Sequence, residues 1–400
     1  MHKFYYSQKD NFISSISASD NYGKDQVLEL HKTYNDPYSG SIAYGITRIL
    51  TKFDLSELSQ SIVNGQIPNT SKTKYFLRLY NVESSGVSSG FRLLVHPLSQ
   101  SWNEGPGRKS SSPPERIYGS SWNYPETSLY PEASWSLAGN ESSTGSFNPS
   151  GPAGVQLGGG AYYSSSMFIC SQSFSDTDQN FDINMDISHL IRKQLPLPNQ
   201  YAQPGAASVS IPNHGMIIKF FPTDESNYER HSLKYFSRNT NTIYAPKLEV
   251  KWDDHKGIKG NVPNNFTSSF NALDMSGEVD NHVYVKGIKP RYKETETAKF
   301  RVGARKKYVG RTFSTSVQTI TGSYIADTSG SYSIKDVATG ETIVPFGDYS
   351  LLSLDSGSMY FNQDLNGFDA NRIYKILIKV NYNDGQEIIY DNDYEFKVVR

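Results

Sequence analysis

The sequence contains little cysteine, little net charge and few aliphatic side chains. Cys170 is the single cysteine among 400 residues, so no disulfide can form within the chain. The net charge of −1 at pH 7 gives no general attraction to nucleic acid or to an anionic membrane. The longest basic cluster, residues 301–311, is short, and its spacing favours charges on a strand and turn over a polyanion-binding site.

Long apolar runs are also lacking. No stretch approaches the ~18 apolar residues of a membrane span. Residues 1–17 do not show the basic segment followed by an apolar segment that defines a signal peptide. A loop-rich chain without disulfides is atypical of secreted proteins. We therefore expect the protein to be made and folded in a cytoplasm, with no membrane or nucleic-acid partner.

Aromatic residues, in contrast, are abundant. Hydrophobic residues make up only 36% of the chain, but the 28 tyrosines and 20 phenylalanines raise the aromatic share to 13%. Each buried ring removes ~150–250 Å² from water, so these side chains build a core despite the low aliphatic share. Tyrosine and phenylalanine also favour strands. The composition predicts a β-rich protein with much loop and much contact surface.

Short alternating or β-branched runs, bounded by turn residues, predict strands along the chain. In the first part these runs are residues 26–33, 48–58, 74–83, 91–98, 214–222 and 246–254. Only residues 184–198 predict a helix, because they have one apolar face and end in prolines. That face consists of Ile187, Leu190, Ile191 and Leu195. The pattern predicts an all-β fold that begins with a jelly-roll β-sandwich.

The pattern changes after residues 253–290, which are polar and which we predict to be a linker or junction. Residues 1–252 then form the first domain and residues 291–400 the second. Strand signals in the second domain recur at 298–305, 312–320, 331–346, 350–365 and 374–400. Asp384-Gly385 lies between two alternating runs, as in a β-hairpin. This many short strands predict an immunoglobulin-like β-sandwich.

Residues 99–166 form a long segment that is rich in Ser, Gly and Pro and has no apolar period. Loops of this length are uncommon and usually functional. We interpret Trp102, Trp122 and Trp135 as anchors that hold it on the sandwich, since burying one indole contributes about 2–3 kcal/mol. Alternatively, aromatic residues of this segment present a carbohydrate-binding or interaction surface. The candidate residues of that surface are Tyr124, Tyr130, Tyr162 and Tyr163.

The titratable residues form no recognisable catalytic pattern. The eight histidines are scattered, and neither a nucleophile elbow nor a phosphate-binding glycine loop occurs. Glu104 is the best candidate for a glycosidase acid, which would need a second carboxylate ~5–10 Å away. The candidates for that second group are Asp54, Glu115 and Glu132. We favour a structural role for Glu104, as a residue that caps a turn or accepts hydrogen bonds from loop amides.

An acidic stretch raises the question of a metal site. The aspartates concerned are Asp176, Asp178, Asp182 and Asp186, with Asp224 available from elsewhere in the chain. Calcium prefers such oxygen ligands, but the glycine and glutamate positions of an EF-hand loop are missing. We therefore interpret the stretch as a solvated loop, and predict no catalytic, metal-binding or cofactor-binding residue.

Seven pieces of residues 1–252 resemble, in order, the DNRLRE-type β-sandwich family. They are SDNYG (19–23) followed by VLEL, RILTKFDLSEL (48–58), SWNEG (101–105), SW at Trp122 and again at Trp135, FDINMDISHLI (181–191), GMIIKF (215–220) and YAPKLEV (244–250). The resemblance implies a jelly-roll fold in which the tryptophans are fold elements. Family members are often secreted cell-surface modules, some of which bind carbohydrate. This chain departs from them by showing no signal sequence.

Residues 280–400 resemble virion proteins of T4-like phages of marine bacteria and cyanobacteria. The resemblance is carried by KFRVGARKKYVGRTFSTS (299–316), ETIVPFGDYSLLSLDS (341–356), MYFNQDLNGFDANRIYKILIKV (359–380) and DYEFKVVR (393–400). It implies a non-enzymatic structural component of a contractile-tailed bacteriophage virion, in the neck, collar, tail or baseplate. Its partners would be other virion proteins in a symmetric, multi-copy assembly. The alternative is an adsorption module that recognises host surface glycans.

Overall fold

The computed structural model describes residues 1–34, 44–87, 90–127, 135, 158–195, 210–226, 229–257, 271–310, 313, 315–317, 322–355 and 357–400. Strands dominate these residues, and the three α-helices among them are short. The prediction of an all-β fold is confirmed. The chain divides into two compact units. Residues 5–249 form the N-terminal unit, and residues 1–4 together with 250–400 form the C-terminal unit.

The first strands and the helices occupy the chain as far as Lys251. The strands are β1 (His2–Ser14), β2 (Val27–Tyr34), β3 (Tyr44–Phe53), β4 (Lys74–Leu79), β5 (Asn81–Ser85), β6 (Phe91–Pro97), β7 (Cys170–Phe174), β8 (Ile183–Asp186), β9 (Met216–Phe220), β10 (His231–Phe236) and β11 (Lys247–Lys251). The helices are α1 (Ser56–Val63), α2 (Ser188–Gln194) and α3 (Pro222–Ser226).

The remaining strands follow Lys251. They are β12 (Asn271–Ala272), β13 (Asn281–Lys286), β14 (Arg291–Lys293), β15 (Thr297–Lys306), β16 (Ser323–Tyr324), β17 (Gly330–Asp336), β18 (Thr342–Val344), β19 (Ser353–Leu354), β20 (Met359–Asp364), β21 (Ile373–Asn381) and β22 (Glu387–Val399). β12 and β13 lie within residues 253–290, where the sequence predicts a junction. The C-terminal unit therefore begins earlier than predicted.

Strands β1–β11 are hydrogen-bonded along the path β5-β10-β2-β3-β1-β11-β4-β8. In addition, β9 pairs with both β3 and β6, and β6 pairs with β7. β4 and β10 bury every second residue, which is the pattern of a strand with one face on a core. β9 buries all five of its residues, so both of its faces are covered.

Strand β3 shows what covers the second face of this sheet. Ile46 and Leu50 point to the same side of the strand, because side chains alternate along it. Both pack in one cluster with Trp102 and Trp122. Ile49, which points to the opposite side, is also fully buried. The described part of the tryptophan-bearing loop therefore covers one face of the sheet as a second core layer.

The C-terminal unit contains two sheets. One follows the order β12-β16-β15-β20-β19, with β13 also paired to β15, and the other follows the order β14-β22-β21-β17-β18. Rings from both sheets share one core: Tyr332 of β17 stacks on Phe361 of β20 with centroids 3.8 Å apart, and Phe300 of β15 lies 5.2 Å from Phe396 of β22. The unit is a β-sandwich in which each sheet covers the other.

The first four residues belong to the C-terminal unit, although the sequence analysis places them in the first domain. The ammonium group of Met1 donates to the carbonyl oxygens of Trp252 and Tyr349, each at 2.6 Å, and to Asp254 Oδ1 at 2.9 Å. Phe4 is buried in the aromatic core of this unit. Local sequence patterns cannot predict contacts between residues more than 240 positions apart.

The helices differ from the predicted ones. The predicted helix 184–198 is shorter in the structure, because residues 183–186 extend as β8 and α2 ends at Gln194; residues 196–198 lie outside the described part of the chain. The predicted strand 48–58 ends at Phe53. Asp54 Oδ1 accepts hydrogen bonds from both the amide and the hydroxyl of Ser56 and so turns the chain into α1.

Several strands lie outside the predicted runs, among them β1, β7 and β10. β1 buries both faces along most of its length, and β7 and β10 are short, so none of the three shows a long alternating pattern. Within the described residues, no helix combines the length and the apolar character needed to cross a membrane.

Candidate functional site

The three tryptophans of the long loop lie in one apolar cluster. Trp102, Trp122 and Trp135 are 2%, 6% and 3% exposed. The indole of Trp102 donates to the carbonyl oxygen of His214 at 2.9 Å, and that of Trp135 donates to the carbonyl oxygen of Ser121 at 3.1 Å. These two buried indole N–H groups thus have the partners that such groups require. In this arrangement the tryptophans hold the loop and offer no face to a ligand.

Two of the quoted sequence pieces, SDNYG and SWNEG, meet at the side chain of Asn21. Its Nδ2 donates to the carbonyl oxygens of Glu104 and Ser120 at 2.7 and 2.8 Å, and its Oδ1 accepts from the amide of Gly107 at 2.8 Å. A Cβ on Gly119 would lie 2.2 Å from Asn21 Nδ2. The glycines are therefore required by the close approach of the loop to Asn21, and these pieces are fold elements.

The tyrosines proposed as an interaction surface do not form an exposed platform. Tyr162 is only 4% exposed, and its ring lies 4.7 Å from the His96 ring. Tyr163 is half-buried and lies 5.5 Å from Phe168, and Tyr124 is also half-buried. Tyr130 lies outside the described residues. Tyr162 does not fit the proposed stacking role, because its side chain is buried in the same apolar cluster as the three tryptophans.

A fully buried charge triad lies beneath the loop and consists of Arg48 of β3, Lys219 of β9 and Glu225 of α3. Arg48 donates to both carboxylate oxygens of Glu225 at 3.1 and 2.9 Å, and Lys219 Nζ donates to the second at 2.9 Å. None of the three side chains is more than 1% exposed. Burial and then the neighbouring Arg48 charge lower the pKa of Lys219 to about 8, while Glu225 opposes the shift.

The triad also holds the glycine-rich turn of residues 158–160. Arg48 Nη1 donates to the carbonyl oxygen of Gly159 at 2.7 Å, and the Gly159 amide donates to the carbonyl oxygen of Trp122 at 2.6 Å. All three glycines have positive φ values, which other residues rarely adopt. A chain of contacts thus runs from the buried charges through the glycine turn to a tryptophan, and we assign it a structural role.

Glu104 is engaged with cations and with the backbone. Its carboxylate forms ion pairs with Lys24 and with Arg238, the latter at 3.2 Å, and accepts from the Asp10 amide at 3.3 Å. Asp54 and Glu115 accept hydrogen bonds within their own loops, and Glu132 lies outside the described residues. These contacts match the structural role that the sequence analysis favours for Glu104.

Asp10, which the sequence analysis did not single out, lies beside Glu104. Its side chain is 1% exposed, and Oδ1 has no hydrogen-bond partner among the described residues. Burial raises the pKa of Asp10 to about 7, and the negative charge of Glu104 adds to this shift. The amide of Arg238 donates to Asp10 Oδ2 at 2.7 Å, and this hydrogen bond acts in the opposite direction by lowering the pKa. No local motif surrounds Asp10, so only the fold shows this pair of carboxyls.

A pocket of about 330 Å³ shares Lys24 with this cluster. We call it the charged pocket. Its lining consists of Phe12, residues 24–27, Glu29 and residues 108–110. Lys109 Nζ donates to both carboxylate oxygens of Glu29 at 2.6 and 2.7 Å, and its amide donates to Asp25 Oδ2 at 2.9 Å. Burial is the main cause that raises the pKa of Asp25. The pocket therefore offers both donors and acceptors.

The acidic stretch uses its carboxylates to cap backbone amides. Asp178 accepts from Ser175, Asp182 from Asn81, Asp186 from Ser188 and Asp224 from Arg92, at distances between 2.6 and 2.9 Å. Among the described residues, no three His, Cys, Asp or Glu side chains are placed so that they could hold a metal ion.

The single thiol has a histidine neighbour. Cys170 Sγ lies 3.6 Å from His189 Nε2, and the cysteine is only 3% exposed. Burial raises the pKa of Cys170 to about 12 and lowers that of His189. A thiol that is activated as a nucleophile needs a lowered pKa instead. We therefore interpret Cys170 as a core residue.

Comparison with known proteins adds no relative: no family model, no curated protein and no solved structure matches this chain. The sequence resemblance and the geometry of the described residues are the remaining indications of function.

Proposed function

We propose that the protein is a non-enzymatic structural component of a contractile-tailed bacteriophage virion, in which many copies dock on neighbouring virion proteins. The observation that carries the proposal is an exposed apolar segment after β15. Tyr308, Val309, Phe313 and Val317 are each at least 40% exposed, and Phe313 and Val317 are almost fully so. Monomeric proteins rarely leave so many apolar side chains of one segment uncovered. A neighbouring protein is expected to cover them.

The position and charge of this segment support the same conclusion. Residues 308–316 belong to the stretch that resembles phage virion proteins. Lys307 lies beside the segment, with its ammonium group 5.4 Å from the Tyr308 ring, and Lys306 is half exposed. The complementary surface on the partner would be apolar with an acidic rim.

The loop of residues 99–166 supports a structural role in a different way. Its three tryptophans and Tyr162 are buried in the core, and the carboxylate of Glu104 forms ion pairs with Lys24 and Arg238. A glycosidase acid instead needs a carboxyl with a free position toward its substrate. The alternative function, glycan adsorption through the tyrosines of this loop, therefore receives less support.

The test is to purify virions from the phage that encodes this chain and to locate it by mass spectrometry and cryo-electron microscopy. We expect the chain in every particle at the neck, collar, tail or baseplate, with residues 308–317 against another virion protein. The double variant Phe313→Ser with Val317→Ser should be packaged much less than the wild type.

A matched control is available in the N-terminal unit, where Ile16 and Val63 are each 62% exposed. The double variant Ile16→Ser with Val63→Ser should be packaged normally, because these residues lie outside the proposed docking segment. Absence of the chain from purified particles would refute the virion assignment. Normal packaging of the Phe313 and Val317 variant would instead refute the docking segment alone.

A further inference from the structure

We infer that the docking segment, residues 308–317, binds a second copy of this chain and is added there as a strand along the unpaired edge of β22. This assignment rests on the proposed function, because it uses the docking segment and names the partner that covers it. We call residues 387–395 of β22 the acceptor edge. Its backbone groups, its exposed side chains and its charge each fit the docking segment.

One side of β22 is open over most of its length. β21 pairs with the strand from Glu387 to Lys397, whereas β14 pairs with its other side only at residues 397–399. Among the described strands, none pairs with this second side along residues 387–395. An open strand edge presents backbone donors and acceptors, to which another extended segment can bind as an added strand.

The hairpin that joins β21 to β22 determines which backbone groups face outward. The Tyr382 amide donates to the carbonyl oxygen of Gln386 at 2.8 Å. Bonded and non-bonded pairs alternate along an antiparallel ladder from that point. Ile389 is opposite Lys379 and Glu387 is opposite Asn381, so both residues belong to non-bonded pairs. Their amide and carbonyl groups therefore point away from β21, toward the open side.

The side chains of the acceptor edge are exposed as well. Ile388 and Ile389 are 37% and 53% exposed, and they lie on opposite faces of the sheet because side chains alternate along a strand. Tyr390 and Tyr394 are half-buried. An added strand would cover apolar side chains on both faces and would pair the outward backbone groups at the same time.

The charge of the acceptor edge selects a basic partner. Its side chains include four acidic groups and no basic group: Glu387, Asp391, Asp393 and Glu395. Lys375 and Lys379 of β21 form ion pairs with three of these four groups, so two cations face four anions. Two acceptor edges would not pair with each other, because like charges directly opposite one another are destabilising.

The docking segment and the residues before it have the complementary composition. Residues 305–311 include four basic side chains and no acidic one: Arg305, Lys306, Lys307 and Arg311. Lys306 and Lys307 are 50% and 53% exposed, and their ion pairs are long, at 3.4 and 4.0 Å. Exposed pairs of this kind contribute little, so a partner can replace them. Tyr308 and Val309 follow directly and are exposed, as the two isoleucines of the acceptor edge are.

A contact between these two surfaces is head-to-tail. Each copy offers its docking segment to one neighbour and its acceptor edge to another. Contacts of this kind generate closed rings or open filaments, depending on the rotation between neighbours. They would therefore produce the symmetric, multi-copy assembly of the proposed function from a single kind of contact.

The first test is sedimentation velocity on the full chain over a range of protein concentrations. We expect reversible association that weakens as the salt concentration rises, because the charges of both surfaces are exposed. Ile389→Pro removes an outward amide and should weaken association roughly tenfold or more. Ile389→Val is the matched control, because it keeps the amide and an apolar side chain, and it should associate like the wild type. Circular dichroism shows whether each variant is folded.

A mixing experiment tests the head-to-tail arrangement. Ile389→Pro leaves the docking segment intact, and the double variant Phe313→Ser with Val317→Ser leaves the acceptor edge intact. Neither should associate alone, whereas an equimolar mixture should form a complex with one copy of each. If Ile389→Pro does not fold, Ile389→Lys takes its place, since a lysine at this exposed position would repel the basic segment.

Three results would overturn the inference: a wild-type chain that stays monomeric at its highest soluble concentration, a folded Ile389 variant that associates normally, or a mixture that forms no complex. The virion assignment fails on a different result, the absence of the chain from purified particles. A chain that is monomeric in solution but packaged through residues 308–317 would keep the proposed function and assign the docking segment to a different virion protein.

Discussion

The two units cover their sheets in different ways. In the C-terminal unit each sheet covers the other, and aromatic rings such as Tyr332 and Phe361 meet between them. In the N-terminal unit one sheet face is covered by an irregular loop, held by buried tryptophans and a buried charge triad. An irregular segment carries backbone groups that no strand pairing satisfies, so side chains must bind them. The comparison teaches that charged residues replace apolar ones in a core where a loop, rather than a sheet, closes it.

Removing a tryptophan anchor should have the largest effect on the N-terminal unit. Trp102→Ala leaves a cavity under the loop and should lower the free energy of unfolding by about 4 kcal/mol. Phe361→Ala should cost the C-terminal unit a similar amount. The two should differ in limited proteolysis, since only the tryptophan variant frees a long loop for cleavage. Equal loop cleavage in both variants would contradict the anchoring role.

Breaking the charge triad should have the next largest effect. Glu225→Ala leaves Arg48 and Lys219 buried without their counterion and should cost about 3 kcal/mol. Denaturant unfolding followed by tryptophan fluorescence measures this, because three of the four tryptophans lie in the N-terminal unit. The control is Glu83→Ala, since the pair of Glu83 with Lys234 is 58% and 37% exposed. It should cost at most ~1 kcal/mol, and an equal loss in both variants would show that the triad is not a core element.

The buried Asp10 carboxyl should give the N-terminal unit a pH dependence. Its pKa of about 7 in the fold lies above its ordinary value, so the folded state binds the proton more tightly than the unfolded state. The resulting stabilisation is complete below about pH 4 and is lost as the pH rises through 7.

Asp10→Asn removes this dependence. Relative to the wild type, the variant should gain stability with rising pH between about 4 and 7, by at most about 1.4 kcal/mol per pH unit. Parallel denaturant titrations of the two proteins across this range measure the difference. A difference that does not change with pH would show that Asp10 ionises normally in the fold.

The smallest expected effect is the reactivity of the Cys170 thiol, which is measured on the wild-type protein. It reports how readily the N-terminal unit opens. Its burial and its raised pKa should leave the thiol nearly unreactive toward a disulfide reagent at pH 8 in the native protein. One thiol per chain should react in denaturant. Rapid labelling of the native protein would show that this unit opens far more readily than its packing implies.

An alternating burial pattern did not by itself make a strand predictable. β10 and β13 bury alternate residues but lie outside the predicted runs, whereas β9 and β11 bury every residue and lie within them. Helix α1 was not predicted, because a single side chain, Asp54, turns the chain directly after a strand-like run. In the candidate site, Glu104 was visible in its motif, whereas Asp10 acquires its raised pKa from burial among residues far away in the sequence.

The sequence by itself determined the all-β class, the absence of an internal disulfide and the presence of an aromatic-rich loop, because composition and local periodicity carry that information. The tertiary structure decided that the tryptophans lie inward and that Tyr162 is buried. It also decided that residues 1–4 join the C-terminal unit and that Arg48, Lys219 and Glu225 meet without solvent. The physical reason is that burial and charge pairing depend on which distant segments meet, and no local pattern encodes those meetings.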